Sequence, residues 1–556
     1  MTQRRFLFLI GSILILGSAL EGAPRTVTFT QSAETVEAYD FVEVKLDIDS
    51  PDAANPFADV EVTGWFERAR GSDRVNVEGF CDAQDGRVFR IRFMPSRPGD
   101  FTFSVTYRQG SFEKSSTGTF GVTDGRRRGL VRVDPQYPWH FIWEGTGDHF
   151  FWNGTTTYAL AGWDDETIRA SIDRLHRLKV NRLRVGMSGP RVENARVWFE
   201  NVFPTDKFSF LLNPWVATRP ESVGDPGFDV ARFNVAFWQK YERLVAYARE
   251  KNIIISVIFY VDGRRPGVDP FGKDGMGGPE EQRYYRYAAA RLAAFSNVMW
   301  DVTNEWFLFR TQEWVEKMGT FLKQCDPYDH LTSCHGHGEF PWRKSPWADF
   351  AMYQIWDDEG GYGGMLERRL AQAKTGRPMP QVNEEYGYED HYPVGWGGDK
   401  KAPARSADNR RRLAWGMYMA GCYQTTGERA DTGTGWGPDT GGGWINGRGD
   451  DSMVMLKGYG YIMDFFTSFD WWKTEPHKEL VEGDALCLAQ PGEVYAVYLP
   501  TGKSVKIKLA TGKYAVTWFN PRDGKTTAGP SASGREWTSP APPDGGDWAI
   551  LLRRER

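Results

Sequence analysis

Apolar and polar positions fall into three successive patterns along the chain. From Arg25 to about Val122, short runs of period-two alternation (TVTFTQ, FVEVKLDI, ADVEVTGWFER, RVFRIRFMP, FTFSVTYRQG) are broken by turn clusters such as SPDAANP, GSD and SRPGD. Successive side chains of a strand point to opposite faces, so this segment predicts an antiparallel β-sandwich over residues 24–125. DGRRRG, around Arg126 to Arg128, reads as a linker with its arginines in a solvated turn.

The pattern changes after about Tyr137. FWNGTTTY (Phe151 to Tyr158) reads as a strand, and Asp165 to Leu178 sets Ile168, Ile172, Leu175 and Leu178 on one helical face. Further strands are expected at RLRVGM (Arg182 to Met187), IIISVIFY (Ile253 to Tyr260), NVMWDVTNE (Asn297 to Glu305), LTSCHGH (Leu331 to His337), ADFAMYQIW (Ala348 to Trp356), PQVNEE (Pro380 to Glu385) and CYQTTG. Helices are expected at WQKYERLVAYAREK, around Glu280 to Phe295, at TQEWVEKMGTFLKQC, after Trp356 through Leu366, and at SADNRRRLAWGMYMAG. Eight strand-then-helix alternations in about 300 residues fit a (β/α)8 TIM barrel over residues 137–475 better than an open doubly wound sheet. No GxGxxG follows the first strand, which weakens a dinucleotide-binding reading. From about Ala485 the alternating pattern returns (ALCLAQPGEVYAVYLP, SVKIKLA, KYAVTWFNP, DWAILLRR) and predicts a C-terminal β-sandwich over residues 480–556. The expected fold class is therefore α/β, a barrel flanked by N-terminal and C-terminal β-sandwich domains.

The N-terminus, MTQRRFLFLIGSILILGSALEGAP, sets Arg4 and Arg5 before an apolar run from Phe6 to about Leu16 and small residues at Gly17, Ser18 and Ala19. That order predicts a signal peptide over residues 1–23, cut near Ala19 or Ala23, and a secreted or periplasmic protein with no membrane partner after cleavage. An uncleaved anchor is the alternative. With 68 basic and 73 acidic residues and a net charge of −5, the chain has no basic stripe for a phosphate backbone, so nucleic acid is not an expected partner. Five cysteines without CxxC spacing indicate neither a zinc site nor a disulfide scaffold; Cys325 and Cys334 either pair or are buried thiols. The 23 Trp, 23 Tyr and 35 Phe either fill large cores or include platforms for flat ligands such as sugar rings.

Reacting groups of a barrel lie where its strands end. Two carboxylates stand at such ends, Glu305 closing WDVTNE and Glu385 closing PQVNEE, 80 residues or about three βα units apart. Cleavage of a glycosidic bond needs such a pair. One acid protonates the leaving oxygen, while the other, ionised, attacks or stabilises the anomeric carbon. Glu384 is equally a carboxylate, but strict strand alternation would turn only one of the two toward the barrel axis.

At these residues the chain resembles the retaining glycoside hydrolases of clan A, in which Asn-Glu ends the fourth strand and a second Glu the seventh, here Asn304-Glu305 and Glu385. PQVNEEYGYE, MYQIW and RRLAWGMYMAG are similar to the apiosidase-like group. VEGFCDAQDGRVFRIRFMPSRPGDFTF resembles the sandwich of unknown function placed before such barrels, and YAVTWFNPRDG and DWAIL resemble the sandwich named there as collagen-binding. The resemblance implies that Glu305 is the acid/base and Glu385 the nucleophile. It also implies that Asn304 bonds the sugar 2-hydroxyl and that Arg184 holds the nucleophile ionised. Glu384 departs from the Gly common in related barrels, and the alignment of NEEYGYE favours Glu385 over it.

Lesser candidates surround the pair. Tyr353 and Gln354 end the sixth strand, where a polar residue would lie against the nucleophile or a Tyr would fill the core. His335 and His337 end the fifth, to bind sugar or to pack loops. Trp198, Trp215, Trp356, Trp396, Trp436 and Trp444 lie in loop-like stretches, two or three of them suited to stacking on sugar. The glycine-rich run from Gly427 to Gly449 would form a wall or lid. Arg264 and Arg265 are either solvated or placed for an acidic sugar. No cofactor and no metal are expected, and oligomeric state is not legible. The sequence thus predicts an exported retaining glycoside hydrolase acting on a plant or algal poly- or oligosaccharide. The alternative is a catalytically silent carbohydrate-binding protein that keeps the barrel as scaffold.

Overall fold

The computed structural model describes residues 26–69, 74–187, 213–220, 224–261, 267–389, 405–427 and 453–555, with residues 71, 207, 222, 263 and 451 between them. The signal peptide, Trp198, Trp396, Trp436, Trp444, Arg264, Arg265 and the glycine-rich run beyond Gly427 lie outside the described residues.

A parallel eight-stranded sheet forms the centre of the molecule. Its strands, numbered along the chain, are β1 (Gly154–Thr156), β2 (Arg182–Gly186), β3 (Ile254–Ile258), β4 (Val298–Asp301), β5 (Thr332–Ser333), β6 (Ala351–Gln354), β7 (Gln381–Glu385) and β8 (Tyr423–Thr426). They pair in the order β5-β4-β3-β2-β1-β8-β7-β6. The ring is completed between β5 and β6 by Asp349 N to Thr332 O at 2.9 Å, Gln354 N to His337 O at 3.3 Å and Ser333 Oγ to Phe350 O at 2.6 Å. The result is a TIM barrel.

Among the described residues seven helices cover the barrel: α1 (Asp165–Arg177), α2 (Val235–Glu250), α3 (Pro279–Leu292), α4 (Gln312–Cys325), α5 (Tyr362–Ala373), α6 (Ala407–Met419) and α7 (Met455–Phe466). Their starts are set by capping residues. Asp164 accepts from Thr167 N at 2.8 Å to open α1, and Thr311 from Trp314 N at 3.1 Å to open α4. Ile168, Ile172 and Leu175 of α1 are buried as the periodicity predicts. Among the described residues no helix follows β5, where a helix-free segment containing Phe340, Trp342 and Trp347 packs instead. After β6 the chain makes a 3-10 turn at Asp357–Gly360 before α5, so the helix begins and ends later than predicted.

The ends of the chain fold as sheets. Four-stranded and five-stranded sheets form the N-terminal sandwich, and a six-stranded sheet with a two-stranded one forms the C-terminal unit, whose first strand is Glu475–Pro476. A three-stranded antiparallel sheet (Val131–Val133, Phe141–Trp143, His149–Phe150) closes the N-terminal mouth of the barrel. There Phe141 packs on Trp152, Tyr423 and Phe350 at ring separations of 5.1, 5.5 and 5.8 Å. All five cysteines are free, so Cys325 and Cys334 do not pair.

Candidate active site

With its lower mouth plugged by aromatics, the barrel opens where the strands end. β2 is buried along its whole length and carries Arg182 and Arg184 on alternate positions, both pointing inward. Beyond β4 the chain turns sharply at Glu305, whose φ of 48° and ψ of 49° lie in the left-handed region that non-glycine residues seldom adopt. The turn lifts the Glu305 side chain out of the strand to the barrel mouth. In β7 the pairing with β6 is irregular, Tyr353 facing Asn383 but Gln354 facing Glu385, so that Glu384 is skipped. Strict alternation would have sent one of the two glutamates outward. The bulge keeps both on the inner side, with Glu384 bonded to Arg182 inside the barrel and Glu385 at its end.

A compact polar network joins residues at or just past the ends of five strands. Asn304 Oδ1 accepts from Arg184 Nη2 at 2.7 Å and from the Tyr158 hydroxyl at 3.0 Å, and meets His335 Nδ1. The same hydroxyl lies 3.2 Å from Glu385 Oε2 and accepts from Arg184 Nη1 at 3.1 Å. Arg184 Nη2 also lies 2.8 Å from His335 Nδ1. Gln354, the register partner of Glu385, donates from Nε2 to Glu305 Oε1 at 3.1 Å. The amide thus holds Glu305 and not Glu385, the carboxyl against which a polar residue was expected here.

Electrostatics set the two carboxyls against each other. Burial and then the neighbouring Glu305 carboxylate push the Glu385 carboxyl up to about 7, against the pull of Arg184 and of the Tyr388 and Tyr158 hydroxyls. Arg184 pulls the Glu385 carboxyl down but is outweighed, so it does not hold that group ionised in the way the resemblance implied. The Glu305 charge thus favours the protonated form of Glu385, and the two carboxyls titrate as a pair. Burial, then the charges of Arg184 and Arg182, holds His335 well below the ordinary imidazole range, as a neutral ring.

The remaining candidates divide. Trp356 is half-buried beside the site, its ring 6.0 Å from Tyr388 and under the Arg405 guanidinium at 5.0 Å. His337 is exposed and packs edge-on against Phe307 at 5.4 Å. Tyr353 is not brought to the site: its hydroxyl donates to Gln381 at 2.7 Å and its ring packs with Arg368 and Arg343 at 5.6 and 5.9 Å. Nor is Trp215 a sugar platform. It is fully buried against Tyr284 and Phe271, in a hairpin of Trp215–Ala217 with Phe228–Phe233 that the pattern did not predict. Two site residues escaped the sequence reading, Tyr158 and Tyr388. Tyr158 stands just past β1, a strand end, but as one aromatic among many it carried no signal separating it from the core.

A (β/α)8 barrel that gathers Glu305, Glu385, Asn304 and Arg184 where its strands end has the architecture of a glycoside hydrolase. Residues 140–429 match the family described as "Apiosidase-like, catalytic domain", and the chain belongs to that family. Residues 35–108 match a domain of unknown function, DUF5060, and residues 477–553 match the "putative collagen-binding domain of a collagenase". Among solved structures, a "putative glycoside hydrolase from Bacteroides vulgatus" is similar with a TM-score of 0.76 at 21% identity, over 94% of this chain and 100% of that one. A glycoside hydrolase family 5 protein from the same species aligns with a TM-score of 0.59 at 15% identity, over 77% of this chain and 94% of the other. At these identities the likeness is one of fold. No curated protein matches the chain.

Proposed function

We propose that the protein is an exported retaining glycosidase that cleaves plant or algal glycosides by double displacement. The observation that carries this reading is the placement of Glu305 and Glu385 at the ends of two barrel strands, Glu305 held by Gln354 and Glu385 by Tyr158. Glu305 gives its proton to the glycosidic oxygen as that bond breaks, while a Glu385 oxygen forms a bond to the anomeric carbon. Glu305, now a carboxylate, takes a proton from water, whose oxygen displaces Glu385 and restores both groups. Asn304 is placed to bond the 2-hydroxyl, and Tyr158 and Tyr388 to receive charge as Glu385 leaves.

The test is hydrolysis of a panel of aryl glycosides, apiosides among them because of the family's name. Glu385→Gln and Glu305→Gln should each lower kcat at least a thousandfold with the fold intact by circular dichroism. A Glu385→Gln variant that keeps full activity contradicts the assignment. Export is tested by N-terminal sequencing of protein from the periplasm or culture fluid, which should begin after Ala19 or Ala23; an intact Met1 would count against it.

A further inference from the structure

Beneath the two carboxyls the barrel buries further charges, Arg182, Glu384 and Asp301, that meet Arg184 from below. Arg182 Nη1 bonds Glu384 Oε2 at 2.6 Å, and both side chains are fully buried. The same Glu384 oxygen lies 3.6 Å from Arg184 Nε, and Arg184 Nη2 lies 3.6 Å from Asp301 Oδ2. Arg182 is fixed further by Ser256 Oγ at 2.8 Å, by Thr425 Oγ1 at 3.3 Å and by the Trp152 ring at 4.6 Å. Four ionisable side chains from β2, β4 and β7 are therefore held without solvent inside the barrel. Such an arrangement is costly to fold unless each charge is balanced by its neighbours.

Resting on the assignment of Glu385 as nucleophile, we propose that Glu384 is a positioning residue that aims Arg184 at the catalytic network and balances the charge of the two arginines beneath it. The geometry gives Arg184 two working edges. Its Nε edge faces Glu384, and its Nη edge faces Tyr158, Asn304 and His335. Through Tyr158 that outer edge reaches Glu385. Glu384 is itself fully buried against Arg182, so it is not presented to a substrate at the mouth. The bulge in β7 is what lets two consecutive acids serve at different depths, one in the floor and one at the mouth.

Glu385 faces Glu305 from β4, Arg184 from β2 and the hydroxyls of Tyr158 and Tyr388. Asp301 faces both arginines, Glu384 and the backbone N–H of His335, and burial pushes its carboxyl up to about 7 against the arginines' pull. Glu384 is thus the anion closest to Arg182, and removing its charge leaves the arginine field on Glu385 less opposed.

The experiment is the pH dependence of kcat/KM for single and double variants on an aryl glycoside that the wild type cleaves. Glu384→Gln keeps the shape and removes the charge, so Glu385 should ionise more readily and the acid limb should move down by about one pH unit. Arg182→Met removes a cation and should move the same limb up. The double variant, balanced again, should return it close to the wild-type position. A folded Glu384→Gln or Arg182→Met protein whose acid limb stays put overturns the proposal, since a merely structural role lowers kcat without moving the limb. Abolished turnover in folded Glu384→Gln also overturns it, by making Glu384 the nucleophile. Unimpaired hydrolysis by Glu385→Gln would instead sink the underlying assignment.

Discussion

As candidates, Glu305 and Glu385 were legible from strand ends, and Asn304, Arg184 and Gln354 from the family resemblance that those two carry. Tyr158 was not, since a tyrosine in an aromatic-rich chain reads equally as core. Its hydroxyl bridges Asn304 and Glu385, and a bond to a carboxylate of this kind is worth about 1.5–3 kcal/mol. Tyr158→Phe should therefore lower kcat about ten- to a hundredfold and leave the melting temperature within a few degrees; an unchanged kcat would remove Tyr158 from the site. The coupling between the two carboxyls makes a second prediction. Because the Glu385 carboxyl is raised to about 7, its ionised, reactive form is lost as pH falls through that value, and kcat/KM should decline on the acid side accordingly. Glu305→Gln takes away a neighbouring negative charge, so carbon NMR of the Glu385 carboxyl should show it titrating at lower pH than in the wild type. Titration at the same pH would show that the pair does not interact.

At the level of elements, the period of the apolar pattern located all eight strands, while local irregularities stayed hidden. The bulge in β7 cannot be read from PQVNEE, because alternation assumes regular pairing and the extra residue is defined only by its neighbour β6. The hairpin after β2 and the strand Thr526–Ser533 lack alternating apolar positions and were missed for the same reason. The turn after α4 shows how a loop is fixed by one charge. Burial opposes ionisation of Asp326, but His330, the Trp300 indole and the Tyr328 backbone N–H hold its carboxyl well below the usual range. Its oxygens accept from His330 Nδ1 at 2.8 Å, Trp300 Nε1 at 2.9 Å, His330 N at 2.9 Å and Tyr328 N at 3.0 Å. A depressed carboxyl contributes stability above the unfolded-state value near 3.9, and that contribution is lost as pH falls toward the folded value. Asp326→Ala should cost about 3 kcal/mol at neutral pH in urea unfolding, since it strands the groups it served. A loss under about 1 kcal/mol would contradict this account of the turn.

For the whole molecule, the order of sandwich, barrel and sandwich was legible because composition and period change together. How the units dock was not, because an interface arginine looks like a surface one until its partner is known. Arg291 of α3 bonds Asp82 of the N-terminal sandwich at 2.5 Å and Glu242 of α2 at 3.0 Å. On the other side Arg411 of α6 bonds the fully buried Asp547 at 2.8 Å, and Trp415 stacks on Tyr498 at 4.8 Å. The C-terminal sandwich is thus joined to the barrel by a buried ion pair and an aromatic stack. Asp547→Ala should weaken that joint by about 3 kcal/mol and split calorimetric unfolding into two transitions; a single unchanged transition would contradict it. The anomeric configuration of the first-formed sugar tests the two-step chemistry proposed for the barrel most directly. Proton NMR during hydrolysis of a cleaved aryl glycoside should show the product first in the same anomeric form as the substrate. The opposite anomer appearing first would contradict double displacement at Glu385.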